Sequence, residues 1–295
     1  MTTLTLPPER FEADRPRLRA VAHRMLGSLA EADDAVQETW LRASGADIAE
    51  VRNVTAWLTT VVGRVSLNML RSRRTRREEP LDAYDAGAGA GGDPAEEALL
   101  ADSVGVALLV VLDTLGPDER LAFVLHDLFA VPFDAIAPLV ERTPAATRQL
   151  AGRARRRVRG TAPAPPGDTA RQRQVVDAFL AATRGGDFDA LLALLHPDVV
   201  LTADRFVVPT PHPIEVNGAR PVAEGAMAAT ARAAFTGPAL LDGHPGLVMA
   251  PHGRLRLALL FTITTDGITH IEIIADHDRL TGLEVTVLDG AVSDE

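Results

Sequence analysis

The sequence contains no cysteine and no lysine, and only 4% of its 295 residues are aromatic. Without cysteine the protein cannot form disulfides, use a thiol in catalysis or hold a metal through thiolates. No apolar run approaches the ~18 residues that a membrane-spanning helix needs, and the polar N-terminus lacks the apolar core of a signal peptide. These absences predict a cytoplasmic protein that does not bind membranes, with two or three domains for its length.

Charge is distributed unevenly along the chain, which has a formal net charge of -10. All 30 basic residues are arginine. Residues 64–77 contain six arginines and residues 142–159 contain seven, with no acidic residue in either segment. Residues 161–295 contain nine arginines against 17 acidic residues. Such concentrated basic segments indicate elements that bind nucleic acid, even though the net negative charge of the chain would by itself repel nucleic acid.

Helical spacing of apolar residues dominates the first part of the chain. The apolar residues of Leu18–Leu26 predict one face of a helix that Gly27 ends. Ser28 followed by Glu31 predicts a capping box that opens a second helix, running to about Ala43. A third helix has an apolar stripe, and its opposite stripe suits contacts with phosphates and base edges. That polar stripe consists of Thr60, Arg64, Asn68 and Arg71.

A helix-turn-helix pattern follows. Phe133–Val140 predicts a short helix, residues 141–143 a tight turn, and Thr143 with Pro144 the N-cap and first position of a new helix. We expect Ala146, Leu150 and Ala154 to face inward. The outward face would then consist of Thr147, Arg148, Gln149, Gly152, Arg153 and Arg156. An Arg- and Gln-rich face after a short turn is typical of a recognition helix for DNA.

The last part of the chain changes from helices to strands. The side-chain pattern repeats every two residues in Arg254–Thr264 and in Ile268–Ile274. This period predicts that both segments are strands. The fold class predicted is therefore multidomain, with two all-α domains followed by an α+β domain that has a curved antiparallel sheet.

Three segments carry a resemblance to a known family. Asp33–Arg42 (DDAVQETWLR) and Asn53–Arg76 resemble region 2 of extracytoplasmic-function (ECF) RNA polymerase sigma factors, and Leu112–Gly160 resembles their region 4. The phrases FDAIAPLV and PAATRQLAGRARRRV are similar to the subgroup with a fused, cone-shaped SnoaL-like domain. The resemblance implies region 2 at 1–77, a flexible linker at 78–100, region 4 at 101–160, a Pro-rich linker at 161–169 and a regulatory SnoaL-like domain at 170–295.

The resemblance also implies partners, namely the β′ and β subunits of core RNA polymerase and promoter DNA. The residues that would dock on the β′ coiled coil are Asp33, Asp34, Gln37, Glu38 and Leu41. Those near the promoter −10 element would be Asn53, Arg64, Asn68, Arg71, Arg73 and Arg74. The −35 element would be contacted by Arg142, Thr147, Arg148, Gln149, Arg153 and Arg156. Arginine paired with guanine and glutamine with adenine are chemically suitable for base recognition.

Regulatory contacts are implied in the same way. Pro80 and Leu81 match part of the linker motif of the subgroup, and Asp278, Arg279 and Leu280 retain part of a late motif in its C-terminal domain. The glycine-rich signature of that domain is absent. No cofactor, metal or enzymatic activity is predicted.

Two alternatives stay open. The chain would fit a ligand-sensing helix-turn-helix repressor, which binds its promoter without polymerase. It would also fit an isomerase-type enzyme fused to a DNA-binding half. In that case the general acid or base would come from Asp204, His196, His270 or Asp276. Whether a small molecule occupies the C-terminal domain is left open by the sequence.

Overall fold

The computed structural model describes residues 5–76, 105–159, 169–208, 210 and 212–287. These residues form two compact units. Within them, the first unit contains 5–76 and 112–156, and the second contains 105–111, 157–159 and the residues from 169 onward. The first unit is helical and the second combines helices with a sheet, which confirms the predicted order of helical and α+β parts. Both predicted linkers fall outside the described residues, apart from Thr169.

Three helices build the amino-terminal part of the first unit: α1 (Pro8–Leu26), α2 (Leu29–Ser44) and α3 (Val54–Arg76). The apolar stripe predicted for α1 is buried, and Gly27 ends this helix in the left-handed conformation with φ +80°. The predicted capping box is wrong, because Ser28 stands at the N-cap of α2 without a side-chain cap bond. Glu31 forms an ion pair with Arg73 of α3 instead, so its carboxylate ties two helices together.

The helix-turn-helix prediction is confirmed in outline. Its elements, with the helix before them, are α4 (Val106–Asp113), α5 (Pro117–Phe123), a π-helical turn (Val124–Leu128), α6 (Phe133–Ile136), a 3-10 turn (Ala137–Leu139) and α7 (Pro144–Arg159). Thr143 caps α7 as expected, since the Ala146 N–H donates to its Oγ1 at 3.2 Å. The turn before it reverses direction at Glu141, which has φ +55°.

The inward face of α7 differs from the predicted one. Its buried residues are Thr147, Ala151, Ala154 and Val158, whereas Ala146 and Leu150 are partly exposed. Thr147 was expected to face DNA, but it is 0% exposed. Its hydroxyl donates to the Thr143 carbonyl oxygen at 3.0 Å. Because the hydroxyl is satisfied within the helix, burial of this side chain leaves no unpaired polar group.

The second unit places helices α8 (Thr169–Gly185), α9 (Phe188–Leu194), α10 (Ala219–Ala228), α11 (Thr230–Ala233) and α12 (His277–Gly282) around one sheet. Its strands are β1 (Leu195–Ala203), β2 (Ile214–Asn217), β3 (Thr236–Leu241), β4 (His244–Met249), β5 (Leu257–Thr264), β6 (Gly267–Ile274) and β7 (Val285–Thr286). The order across the sheet is β2-β1-β6-β5-β4-β3-β7. The predicted strands at 254–264 and 268–274 are β5 and β6.

The sheet is mixed rather than wholly antiparallel as predicted. Strand β1 runs parallel to β6, while the other neighbouring pairs are antiparallel. A parallel pair needs a long crossover, and here the chain passes through β2 to β5 before β6 returns beside β1.

Both faces of this sheet are buried. On one face, Leu247 and Ile271 pack with α8, α9 and α10. On the other face, Val248 and Ala258 pack with α4. Residues 106–111 therefore group with the sheet, whereas the predicted boundary at 101 assigns them to the helix-turn-helix segment. A helix that is apolar on all sides, as VALLVV is, needs such a buried environment.

A glycine of the sheet lies directly against helix α4, and this close contact can be tested. A Cβ on Gly237 of β3 would come within 2.8 Å of the Val106 Cβ. We expect Gly237→Ala to loosen α4, because overpacking of this kind costs about 1–3 kcal/mol. Gly185→Ala is the matched control, since nothing lies within 4 Å of its added Cβ. Amide hydrogen exchange in α4 should accelerate in Gly237→Ala alone; equal exchange in both variants would contradict the expectation.

Candidate functional site

The polar face of α2 carries the predicted polymerase-binding residues Asp33, Asp34, Gln37, Glu38 and Leu41, of which Glu38 is half-buried and the others are exposed. Leu41 is 61% exposed. Asp33 pairs with Arg19 of α1 at an N–O distance of 2.7 Å, and Glu38 pairs with Arg42 at 2.8 Å. A surface with an exposed leucine and with carboxylates held by ion pairs is suited to binding another protein.

The predicted −10 residues have unequal environments. Arg64 and Asn68 lie exposed on α3 and make no side-chain hydrogen bond or ion pair within the described ranges. Asn53 caps α3, because its Oδ1 accepts the Ala56 N–H at 3.0 Å. Arg73 is engaged by Glu31, and the side chain of Arg74 lies outside the described residues. The open part of this face therefore centres on Arg64 and Asn68.

Five of the six predicted −35 residues are exposed, since Thr147 is buried. Arg148, Gln149, Arg153 and Arg156 lie on the outward face of α7, and Arg142 lies in the turn before it. The Arg148 guanidinium lies over the Phe133 ring, 5.4 Å from its centroid. This stacking orients the side chain while leaving its N–H groups available in the plane of the guanidinium.

Two neighbouring acids on α5, Asp118 and Glu119, hold one arginine from each candidate DNA-binding helix. We call them the acid pair. Asp118 Oδ1 lies 2.9 Å from Arg71 Nη2 of α3, and Glu119 Oε1 lies 2.7 Å from Arg153 Nε of α7. Sequence reasoning missed this arrangement, because acids in a first helical turn are expected from the helix dipole alone.

Arg120 follows the acid pair and is only 2% exposed. Its Nε donates to the Arg24 carbonyl oxygen at 3.1 Å, and its Nη1 donates to Asp113 Oδ1 at 3.4 Å. Burial lowers the pKa of Arg120 to about 10, and the Asp113 carboxylate opposes that shift. The guanidinium thus stays protonated at neutral pH and joins α5 to α1 and α4.

The acids and histidines considered for catalysis make local hydrogen bonds. Asp204 Oδ2 accepts the N–H groups of Ala275 and Asp276, both at 2.7 Å. Asp276 caps α12, and His196 accepts a backbone N–H through Nδ1. His270 Nε2 lies 3.1 Å from the Thr202 hydroxyl. Each of these groups has a local structural partner.

The predicted regulatory contacts are described only in part, since Pro80 and Leu81 lie outside the described residues. Asp278 and Arg279 are exposed on α12. Arg279 pairs with Glu272 at 2.6 Å. Leu280 is 7% exposed and belongs to the buried cluster that packs α4 on the sheet.

The second unit also contains a partly open cavity of about 320 Å³ between the sheet and helices α8, α10 and α11. We call it the apolar cavity. Apolar side chains such as Phe179, Leu247 and Ile271 form most of its wall, and none of the four acids and histidines considered above lines it. Its chemistry therefore favours binding of an apolar molecule over acid–base catalysis.

The role of Asp204 can be tested through the backbone groups that it holds. We expect Asp204→Ala to leave three N–H donors, those of Phe206, Ala275 and Asp276, without their partner and to lower the free energy of unfolding by about 1–3 kcal/mol. Asp198→Ala is the control, because this exposed carboxylate makes no hydrogen bond among the described residues. A lower thermal midpoint with faster amide exchange at 275–276 should appear in Asp204→Ala only. Equal behaviour of the two variants would argue against a structural role.

None of the helices in the described ranges is long and apolar enough to cross a bilayer.

Comparisons with known proteins agree with the sequence resemblance. The family model for Sigma-70 region 2 matches residues 10–76. ECF RNA polymerase sigma factor SigJ of Mycobacterium tuberculosis is 44% identical over 66% of this chain and 64% of its own, slightly under two thirds of that relative. The solved SigJ structure is 33% identical, with a TM-score of 0.44 over 94% of this chain and 99% of that chain.

A second relative is matched over a larger share of its own length. The probable ECF RNA polymerase sigma factor SigI of the same species is 36% identical over 82% of this chain and 90% of that protein. With this identity over nearly the whole of a relative, the chain belongs to the ECF RNA polymerase sigma factors.

Proposed function

We propose that this sigma factor binds core RNA polymerase through the exposed face of α2 and directs it to a two-element promoter through α3 and α7. The proposal puts the protein in the cytoplasm, where polymerase acts. The observation that carries it is the outward face of α7, where Arg148 and Gln149 stand exposed behind a capped turn. These two side chains match the base edges of guanine and adenine respectively.

Polymerase binding is assigned to α2 because its exposed leucine shares a helix with exposed acids. Leu41 would supply the apolar contact. Asp34 and Gln37 are exposed beside it and would supply polar contacts to the β′ coiled coil. The β subunit is the second expected partner, contacted through the helix-turn-helix.

Promoter binding is divided between two faces. Arg64 and Asn68 would contact the −10 element, while Arg148 and Gln149 would read the −35 element in the major groove. Arg142 and Arg156 would contact phosphates and set the register, which adds affinity without sequence preference.

Regulation by the SnoaL-like part is assigned to helix α4. Its residues 106–111 group with the sheet, and the same helix continues into Leu112 and Asp113, which group with the first unit. Leu280, one of the predicted regulatory residues, is buried in the same cluster as Val106. A change in the packing of the sheet would therefore alter the packing of α4, the first helix of the predicted region 4 segment.

The proposal is tested by run-off transcription with core polymerase and a template library randomised over the two promoter elements. The full chain should support transcription and select a −35 sequence. Arg148→Ala should relax selection at one base pair by about 5- to 100-fold, because one bidentate contact is worth about 1–3 kcal/mol. Arg220→Ala, an exposed arginine of α10, should change nothing. Tight promoter binding without polymerase, and no transcript with it, would favour the repressor.

The α2 assignment predicts the effect of shortening Leu41. Leu41→Ala should weaken affinity for core polymerase about five- to tenfold, as expected when an apolar anchor of an interface is lost. Val208→Ala removes another exposed aliphatic side chain, from the second unit, and should leave the affinity unchanged. Fluorescence anisotropy of the labelled full chain titrated with core enzyme measures both. An unchanged affinity in Leu41→Ala would remove α2 from the interface.

The acid pair predicts a gain of DNA affinity. Asp118→Asn combined with Glu119→Gln releases Arg71 and Arg153 and removes two charges that repel phosphates. Because partly exposed ion pairs of this kind contribute only about 0–1 kcal/mol each, the polymerase complex should bind promoter DNA about two- to tenfold more tightly.

The matched control removes two other acids from the helix-turn-helix, Asp134 and Glu141, which are exposed. Asp134→Asn combined with Glu141→Gln should gain less affinity, since it releases no arginine. If both double variants gain equally, the effect comes from net charge and not from the acid pair.

A further inference from the structure

Few of the described residues that line the apolar cavity have polar side chains. Among the described residues that line it, only Thr183, Thr236 and Arg232 carry oxygen or nitrogen atoms in their side chains, and none is acidic. The Thr183 hydroxyl donates to the Phe179 carbonyl oxygen at 2.9 Å, and the Thr236 hydroxyl donates to the Arg232 carbonyl oxygen at 3.0 Å. Both hydroxyl protons are therefore already used within the protein, and a ligand finds no hydroxyl donor in this wall.

Arg232 is the exception. It lies half-buried on α11 at the cavity wall. Within the described ranges its guanidinium makes no ion pair and no hydrogen bond, although an arginine side chain at the edge of an apolar environment usually has such a partner. An arginine stays protonated in proteins, so this wall carries a permanent positive charge with five N–H donors.

A second positive charge lies close to the same wall. Arg184 of α8 donates from Nε to the Ala233 carbonyl oxygen at 3.1 Å and from Nη2 to the Thr236 carbonyl oxygen at 2.6 Å. Ala233 and Thr236 both line the cavity. Arg184 thus ties together the residues on either side of the junction of α11 and β3, and Arg232 supplies the charge among the described lining residues.

The turn after β1, which contributes residues to the wall of this cavity, carries two exposed apolar side chains. Phe206 is 51% exposed and Val208 is 42% exposed, and both belong to the turn after β1. Val207 and Val208 line the cavity. Asp204 anchors the start of this turn, because its Oδ1 accepts the Phe206 N–H at 3.0 Å. An apolar rim on an apolar cavity is suited to the entry of an apolar chain or ring.

We infer that the apolar cavity binds a small amphipathic monoanion, with its apolar body against the sheet and its carboxylate on Arg232. The volume of about 320 Å³ lies within the ~300–1,000 Å³ range of small-molecule sites. A medium-chain fatty acid or an aromatic monocarboxylic acid has the required chemistry. A cation would be repelled by Arg232, and a neutral molecule of the same shape would leave its donors unused.

The inference is tested by isothermal titration calorimetry on the full chain, with decanoate, decanol and decylamine as probes. These share one apolar chain and differ in the charge of the head group. Decanoate should bind with one-to-one stoichiometry and about tenfold more tightly than decanol, because charge-assisted hydrogen bonds are the stronger ones. Decylamine should bind more weakly than decanol. No polymerase or DNA is present, so the result is independent of the sigma-factor proposal.

Variants separate the head-group contact from the apolar fit. Arg232→Gln should abolish the preference for decanoate over decanol while decanol binding stays as in the wild type. Ala226→Phe fills the cavity and should remove binding of both probes. Arg220→Gln, which removes a 71% exposed arginine of α10, should leave all three affinities unchanged. Circular dichroism melting of each variant identifies any loss of fold.

Two sets of results would contradict the inference. Equal affinity for decanoate and decanol, or full decanoate affinity in Arg232→Gln, would overturn the assignment of Arg232. Failure of every probe to bind the wild-type chain, or undiminished binding in a folded Ala226→Phe variant, would overturn the assignment of the cavity.

Discussion

The second unit depends on one constraint, a sheet that must be buried on both faces. Alternate residues of each strand point to opposite sides, so β4 directs Leu247 to the cavity side and Val248 to helix α4. Each face must then receive its own cover. Helices α8 to α11 cover one side, which holds the apolar cavity, while the other side takes α4. At Gly237 the fit is so close that a single methyl group meets Val106.

Double burial also explains which elements the sequence predicts. Strands β5 and β6 were predictable because their runs are long and rich in β-branched and aromatic residues. Strands β3 and β4 (TGPALL and HPGLVM) contain glycine and proline and are apolar at consecutive positions, so neither composition nor alternation marks them. Helix α4 has the same limitation. A continuous apolar run shows that the segment is buried, but not which partner buries it.

In the first unit the sequence predicts where the arginines are but not what they touch. The arginine-rich segments and the capped turn before α7 can be recognised in the sequence. Most of the exposed face of α7 can be predicted from them. Thr147 was misplaced because its hydroxyl finds a partner inside the helix, a bond that depends on the local backbone. The ion pairs of Arg71 and Arg153 with the acid pair join residues far apart in the chain. No spacing rule could bring them together.

Arginine serves here in chemically distinct ways, which reconciles the net negative charge of the chain with the DNA binding that we propose for it. Buried Arg120 is held by backbone and carboxylate oxygens and keeps its place for structural reasons. Arg71 and Arg153 are held by single carboxylates at partly exposed positions. Such pairs are weak enough for a phosphate to displace the carboxylate, since each contributes about 0–1 kcal/mol. The acid pair therefore orients the two arginines and still leaves them able to bind phosphate. Added salt should weaken these ion pairs, as it weakens binding to DNA.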